Sequence, residues 1–139
     1  MKKPAIILAL FATTILCSLC TMAPSEKKDA NHNYMWFDCE ANYSTLSHPD
    51  SIRFYLQKTK DLGFDNVVVD MKSIMGEVLY DSKIAPYMGD WEGVERSRDY
   101  DMLGYFIDYG HEMGLKVFGS LNVFAGGHNY FDRGIIYGD

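Results

Sequence analysis

Cysteine is scarce in this chain: Cys17, Cys20 and Cys39 are all there is among 139 residues. Three thiols build no disulfide framework, and none falls in the Cys/His spacing of a structural zinc site. The four histidines, His32, His48, His111 and His128, show no metal-ligand spacing either, and His111 belongs to no HExxH pattern. Positive charge is thin, with 13 Lys and Arg against 19 Asp and Glu and a net charge of -6. No basic cluster goes beyond pairs such as Lys27-Lys28. Binding to a phosphate backbone needs many cations, so nucleic acid is not an expected partner. A neutral or weakly charged polar substrate suits an acidic surface better. A GxSxxG nucleophile elbow and a glycine-rich phosphate loop with lysine are both missing. Gly126-Gly127 alone signals only flexibility. Cys39 has no recognisable histidine partner, which disfavours thiol catalysis. No cofactor and no metal is expected.

What is present suits one ordinary domain behind a leader. Hydrophobic residues make up 47% and charged residues 23% of the chain, which speaks against wholesale disorder. Lys2 and Lys3 precede an apolar run, Ala5 to Leu19, broken only by Thr13, Thr14 and Ser18. Residues 1–23 therefore read as an export signal, too short and interrupted for a stable membrane span. Thr21-Met22-Ala23 offers a small-x-small cleavage site. One alternative is a lipoprotein signal lipidated at Cys20, although Leu19 departs from the usual small residue before the cysteine. Another is an uncleaved N-terminal anchor. The expected destination is the periplasm or cell envelope, with membrane attachment through a lipid if Cys20 is modified. Residues 24–33 read as a polar linker.

From residue 34 onward the pattern is α/β. Tyr34–Phe37 is the first strand, ending in Asp38-Cys39-Glu40, and Cys39 reads as a small apolar strand residue. A turn over Ala41–Ser47 leads to a helix starting at Ser47 or His48, with Pro49 in its first turn. Ile52, Tyr55, Leu56, Thr59 and Leu62 recur at helical spacing, and Gly63 follows as a stop. Val67-Val68-Val69, ending in Asp70-Met71-Lys72, reads as a parallel strand covered on both faces. Residues 73–98 are interrupted by Gly76, Asp81, Pro86, Gly89 and Gly93. Glu77–Tyr80 is a short strand or an extended piece within that excursion. Long excursions after strands often carry substrate contacts. A second helix starts at Asp99 or Asp101, with Met102, Leu103, Phe106, Ile107, Tyr109 and Met113 as its packing stripe. Gly114 ends it, and Leu115–Val123 is the third strand. The repeated helix–Gly–strand order predicts three parallel strands with two helices, leaving open edges and one uncovered face.

Several segments carry a family resemblance. They are Trp36-Phe37-Asp38, Leu62 to Val69, Gly76 to Tyr87, Tyr100 to Leu103, and His111 to Val117. In this order and spacing they resemble the N-terminal part of the glycosyl-hydrolase-like 10 family, the UPF0748 group. The resemblance covers residues 34–139. It implies an exported or lipid-anchored glycoside hydrolase with a (β/α)8 TIM barrel, acting on a polysaccharide or peptidoglycan glycan. A complete barrel takes roughly 250 residues, and the later strands of the family are absent from this sequence. The expectation is therefore a partial barrel domain over 34–139. It would come from a truncated parent, an N-terminal gene fragment or a designed piece, and would be inactive by itself. The alternative is a non-catalytic envelope protein that binds glycans.

Glycoside hydrolysis generally uses two carboxyl groups, one as acid and one as nucleophile or base. In a barrel such groups gather at the carboxyl ends of strands. Asp70, Asp38 and Glu40 are the catalytic candidates on that ground. Strand-end caps or an ion pair to Lys72 are the alternatives. Glu77, Tyr80, Trp91, Asn122 and His128 are the candidates for substrate binding. Glu77 has the alternative of a solvated charge. Among the aromatic residues, which also include Tyr87 and Tyr130, Trp36 is expected to pack in the core and Trp91 to be exposed for sugar stacking. The oligomeric state is left open.

Overall fold

A computed structural model describes residues 33–137. The expected signal peptide, Cys20 and the linker up to residue 32 lie outside those residues. The described part is an open α/β unit. Strand β1 (Tyr34–Asp38) is followed by helix α1 (Pro49–Asp61) and strand β2 (Asn66–Lys72). A two-residue-per-strand hairpin, β3 (Asp90–Trp91) and β4 (Val94–Glu95), sits in the excursion after β2. Helix α2 (Met102–Glu112) and strand β5 (Lys116–Leu121) complete the main elements. β1, β2 and β5 form one parallel sheet with β2 central, and the sheet is not closed into a barrel.

Local chemistry explains the elements. Pro49 opens α1, where a missing N–H costs nothing, and Asp50 in the first turn suits the positive end of the helix. Lys58 and Lys60 occupy the last turn, and Gly63 follows with φ +85°. In α2 the choice between two caps falls on Asp101, whose Oδ1 accepts the Gly104 N–H at 3.0 Å. Gly114, at φ +71°, turns that chain into β5.

Strand alternation sends Met35, Phe37, Val67, Val69 and Val117 toward the helices. Phe37 meets Phe106 of α2 edge-on at 5.0 Å between ring centroids. Ile52 and Leu56 of α1 are fully buried, each worth about 1.5–3 kcal/mol of burial. Leu62 does not join that face and is 71% exposed beyond the last turn. On the opposite face Trp36 and Phe118 flank Val68 in register, and Tyr34 lies two residues before Trp36; all three are exposed, with the Tyr34 and Phe118 ring centroids 5.8 Å apart. The expectation that β2 is covered on both faces is thus corrected. No described element lies over this side, which leaves Val68 half-buried and Trp36 56% exposed instead of packed.

The excursion after β2 is well packed. Met75, Leu79 and Met88 are buried in the same core as the sheet. Glu77–Tyr80 is an extended piece rather than a named strand, bridging at Val78 to Lys72 and Tyr87. Arg96 ties the excursion to the β1–α1 connection. Its guanidinium lies 3.7 Å from the Tyr43 ring centroid and donates to Tyr43 O at 3.1 Å and Ser47 Oγ at 2.9 Å. Among the described residues no helix is long and apolar enough to cross a membrane.

Candidate functional site

The carboxyl ends of β1 and β2 open into a cleft of about 270 Å³. Asp38, Glu40, Asp70, Lys72, Trp91, Glu92 and Asn122 line it, with Ala41 and Ile74. Asp38 ends β1 and pairs in register with Asp70, two residues before the end of β2. Asp38 Oδ1 accepts the Ala41 N–H at 2.9 Å, which shapes the turn leaving β1. Glu40 Oε2 accepts the Ile74 N–H at 3.0 Å and so ties that turn to the segment after β2. Asp70 Oδ1 is buried without a hydrogen-bond partner.

Burial pushes the Asp70 carboxyl above the ordinary carboxylate range, and the negative charge of Asp38 adds to the rise. Burial likewise raises Glu40. The Ile74 N–H opposes that rise, and the charges of Asp38, Asp70 and Glu77 reinforce it. Two carboxyls are thereby biased toward holding a proton, next to hydrogen-bond acceptors and an amide. The arrangement suits recognition of hydroxyl-rich ligands and proton donation to an oxygen.

The ion pair considered between these carboxylates and Lys72 does not form. Lys72 Nζ donates instead to the carbonyls of Asn122, Val123 and Ala125 at 2.8, 3.2 and 2.6 Å. The ammonium clamps the loop after β5 against the end of β2, which brings Asn122 to the cleft. Of the expected site residues, the structure therefore gathers Asp38, Glu40, Asp70, Trp91 and Asn122.

Three do not reach the cleft, and Trp91 arrives differently. Trp91 lines the cleft but is only 7% exposed, because the hairpin folds it back. Glu92 and Gly93 turn that hairpin at φ 48° and 82°, and Phe131 meets Trp91 edge-on at 4.9 Å. Trp91 is thus a wall of the cleft rather than an exposed sugar platform. Glu77 is neither a solvated charge nor a cleft residue, since it pairs with Arg133 at 2.9 Å. Tyr80 is partly buried against the core. His128 is exposed in the loop after β5, where its Nδ1 accepts the Tyr130 N–H at 3.3 Å.

Glu92 and Ile74 line the cleft without being among the expected site residues. The Gly89–Gly93 spacing was the available signal for Glu92, since it brackets a tight turn. Cys39 follows β1 instead of lying in it. It is fully buried, its Sγ donates to Phe37 O at 3.6 Å, and burial pushes its thiol far above the ordinary range. A thiol held protonated is a poor nucleophile. Among the described residues no cluster of three or more His, Cys, Asp or Glu is placed to hold a metal ion.

No family model and no solved structure matches the chain. An S-layer-related protein of Niallia circulans is 32% identical to it over 99 residues. The similarity takes in 67% of this chain and 6% of that protein. The chain thus spans a small part of the relative's length.

Proposed function

We propose that the chain is a glycan-binding part of an exported cell-envelope protein and is not catalytic by itself. The observation that carries this reading is the cleft at the strand ends. There Asp38, Glu40 and Asp70 supply acceptors, Asn122 an amide, and Trp91 an apolar wall. Such a mixture, polar groups converging beside an aromatic wall, is what a sugar ring with hydroxyl edges and apolar faces requires. The envelope location draws on the leader over residues 1–23 and on the similarity to part of an S-layer-related protein. Lipid attachment at Cys20 remains a separate proposal, tested by the mass of the native product.

The test is direct titration. The purified chain is titrated with soluble peptidoglycan glycan strands and a panel of neutral polysaccharides. Saturable binding without new reducing ends is expected, weakened by Asp70→Asn and by Asn122→Ala. No binding across the panel sinks the reading.

A second reading is favoured by one observation, the parallel order of the three strands with carboxylates toward the carboxyl ends of β1 and β2. It makes this chain the front of a (β/α)8 glycoside hydrolase of the glycosyl-hydrolase-like 10 kind. Glu40 and Asp70, biased toward protonation, would then suit acid roles. The full-length parent would release reducing ends from the same glycans, and Asp70→Asn would abolish that release.

A further inference from the structure

Arg133 lies in the loop after β5, yet it binds groups 43 and 56 residues away. Its Nη2 donates to Glu77 Oε1 at 2.9 Å. Its Nη1 donates to the backbone carbonyl of Asp90 at 3.1 Å and to Asp90 Oδ2 at 3.0 Å. Nη2 also reaches Asp90 Oδ1 at 3.3 Å. The guanidinium carbon stands 6.0 Å from the ring centroid of Trp91, the residue after Asp90. Two residues before Arg133, Phe131 closes edge-on against the same indole.

The Glu77 half of the pairing is sheltered, with the Arg133 side chain 21% exposed and that of Glu77 17%, so salt screens it less than an open surface pair. The Asp90 side chain is 63% exposed, and its share of the hold comes with the backbone carbonyl bond. The loop that presents it is itself fixed. Gly127 N–H donates to Ile74 O at 3.0 Å, and Ile135 N–H to Met75 O at 3.3 Å. A planar five-donor fork satisfies one carboxylate, a second carboxylate and a carbonyl at once, which an ammonium on a flexible stem does not.

We propose that Arg133 is a positioning residue for the cleft: with Phe131 it fixes the Asp90–Trp91 strand, and so sets the aromatic wall beside Asp38, Glu40 and Asp70. The residue touches no ligand and acts through Trp91. The loop after β5 thereby contributes to the cleft from behind, through a clasp, as well as at its rim through Asn122. The ligand part of this inference rests on the glycan-binding reading, and the Trp91 part does not.

The test uses the full chain with Trp36→Phe, which leaves Trp91 as its single tryptophan. Arg133→Met and Arg133→Lys are compared in that background. Two quantities are read: Trp91 emission with acrylamide quenching in the absence of ligand, and the affinity for soluble peptidoglycan glycan strands. Arg133→Met is expected to shift emission to the red, raise quenching and weaken binding roughly tenfold, as a loosened supporting shell does. Arg133→Lys recovers part of both signals. Signals are compared at temperatures well below both thermal midpoints, since leaving the sheltered Glu77 carboxylate unpaired lowers the melt of Arg133→Met. Unchanged emission and quenching in Arg133→Met overturns the proposal, and so does changed emission with unchanged affinity. If Arg133→Met loses its cooperative melt, Arg133→Lys and Glu77→Gln are read in the same way. Failure of the parent chain to bind any glycan removes the functional reading, while Trp91 emission still decides the role of Arg133.

Discussion

Asp38 and Asp70 are direct neighbours across the β1–β2 register, two acids at the same rim of one parallel sheet. Parallel strands lie about 4.8 Å apart, so burial at this rim and then the nearby charge of Asp38 disfavour an ionised Asp70. The consequence is a stability that depends on pH in a stated direction. Asp70 is raised in the folded chain, so the folded state holds this proton more firmly than the unfolded state. Stability is therefore lost as pH rises from the ordinary carboxylate value through the raised one. Asp70→Asn removes the charge and keeps the shape. The variant should melt higher than the parent above that window and converge with it below. Melts between about pH 3 and 8 check this, spanning the ordinary carboxylate range and neutrality. A variant that melts lower at neutral pH refutes the stated electrostatics.

Lys72 should behave as a structural clamp. Lys72→Met keeps the stem but abandons three carbonyl acceptors. A loss of about 1.5–3 kcal/mol in urea unfolding is expected for charged hydrogen bonds of this kind. Limited proteolysis should then cut soonest in the loop after Val123. Equal cleavage in parent and variant would show that something else holds the loop.

Arg96 should matter more than its place in an irregular segment suggests. Arg96→Met removes the stacking on Tyr43 and the bonds to Ser47 and Tyr43 O. A destabilisation of about 2–3 kcal/mol follows from the charged hydrogen bonds and the cation–π contact. A shift of the urea midpoint equivalent to less than about 0.5 kcal/mol, the range of ordinary surface substitutions, counts against this role.

The closeness of α2 to β5 can be tested at Gly110. A Cβ there would stand 2.6 Å from Val117 Cγ2. Alanine gains about 1 kcal/mol in helix propensity over glycine, but overpacking costs about 1–3 kcal/mol. The net effect of Gly110→Ala should be destabilising, because the valine is stiff about χ1. Val117→Ala in the same chain should recover part of the loss, and a double-mutant cycle by urea unfolding measures that coupling.

The exposed Tyr34–Trp36–Phe118 face predicts self-association. Trp36→Lys should lower the apparent size in light scattering at high protein concentration without lowering the thermal midpoint. A midpoint that drops several degrees would mean that Trp36 is packed after all.

The elements were legible because their signals are local. Gly63 and Gly114 mark equivalent helix-to-strand turns, and Val67-Val68-Val69 announces a central strand from composition alone. The strand-end acids were legible for the same reason, since a parallel sheet places successive carboxyl ends together. The two tryptophans reverse the expected burial, Trp91 being covered and Trp36 exposed. Whether an aromatic is covered depends on which distant segment folds over it. For Trp91 that segment carries Phe131, whereas no described segment covers Trp36. Glu77 is the same problem in ionic form, because its partner Arg133 lies 56 residues away.

Cys39 stands between two cleft acids in sequence while its own side chain is sealed inside. The turn leaving β1 keeps Asp38 and Glu40 at the cleft and seals Cys39 in the core, so the thiol becomes a built-in clock. With Cys17 and Cys20 replaced by serine, it is the single labelling site in the chain. Its reaction rate with a disulfide reagent then times how often the segment bearing Asp38 and Glu40 opens to solvent.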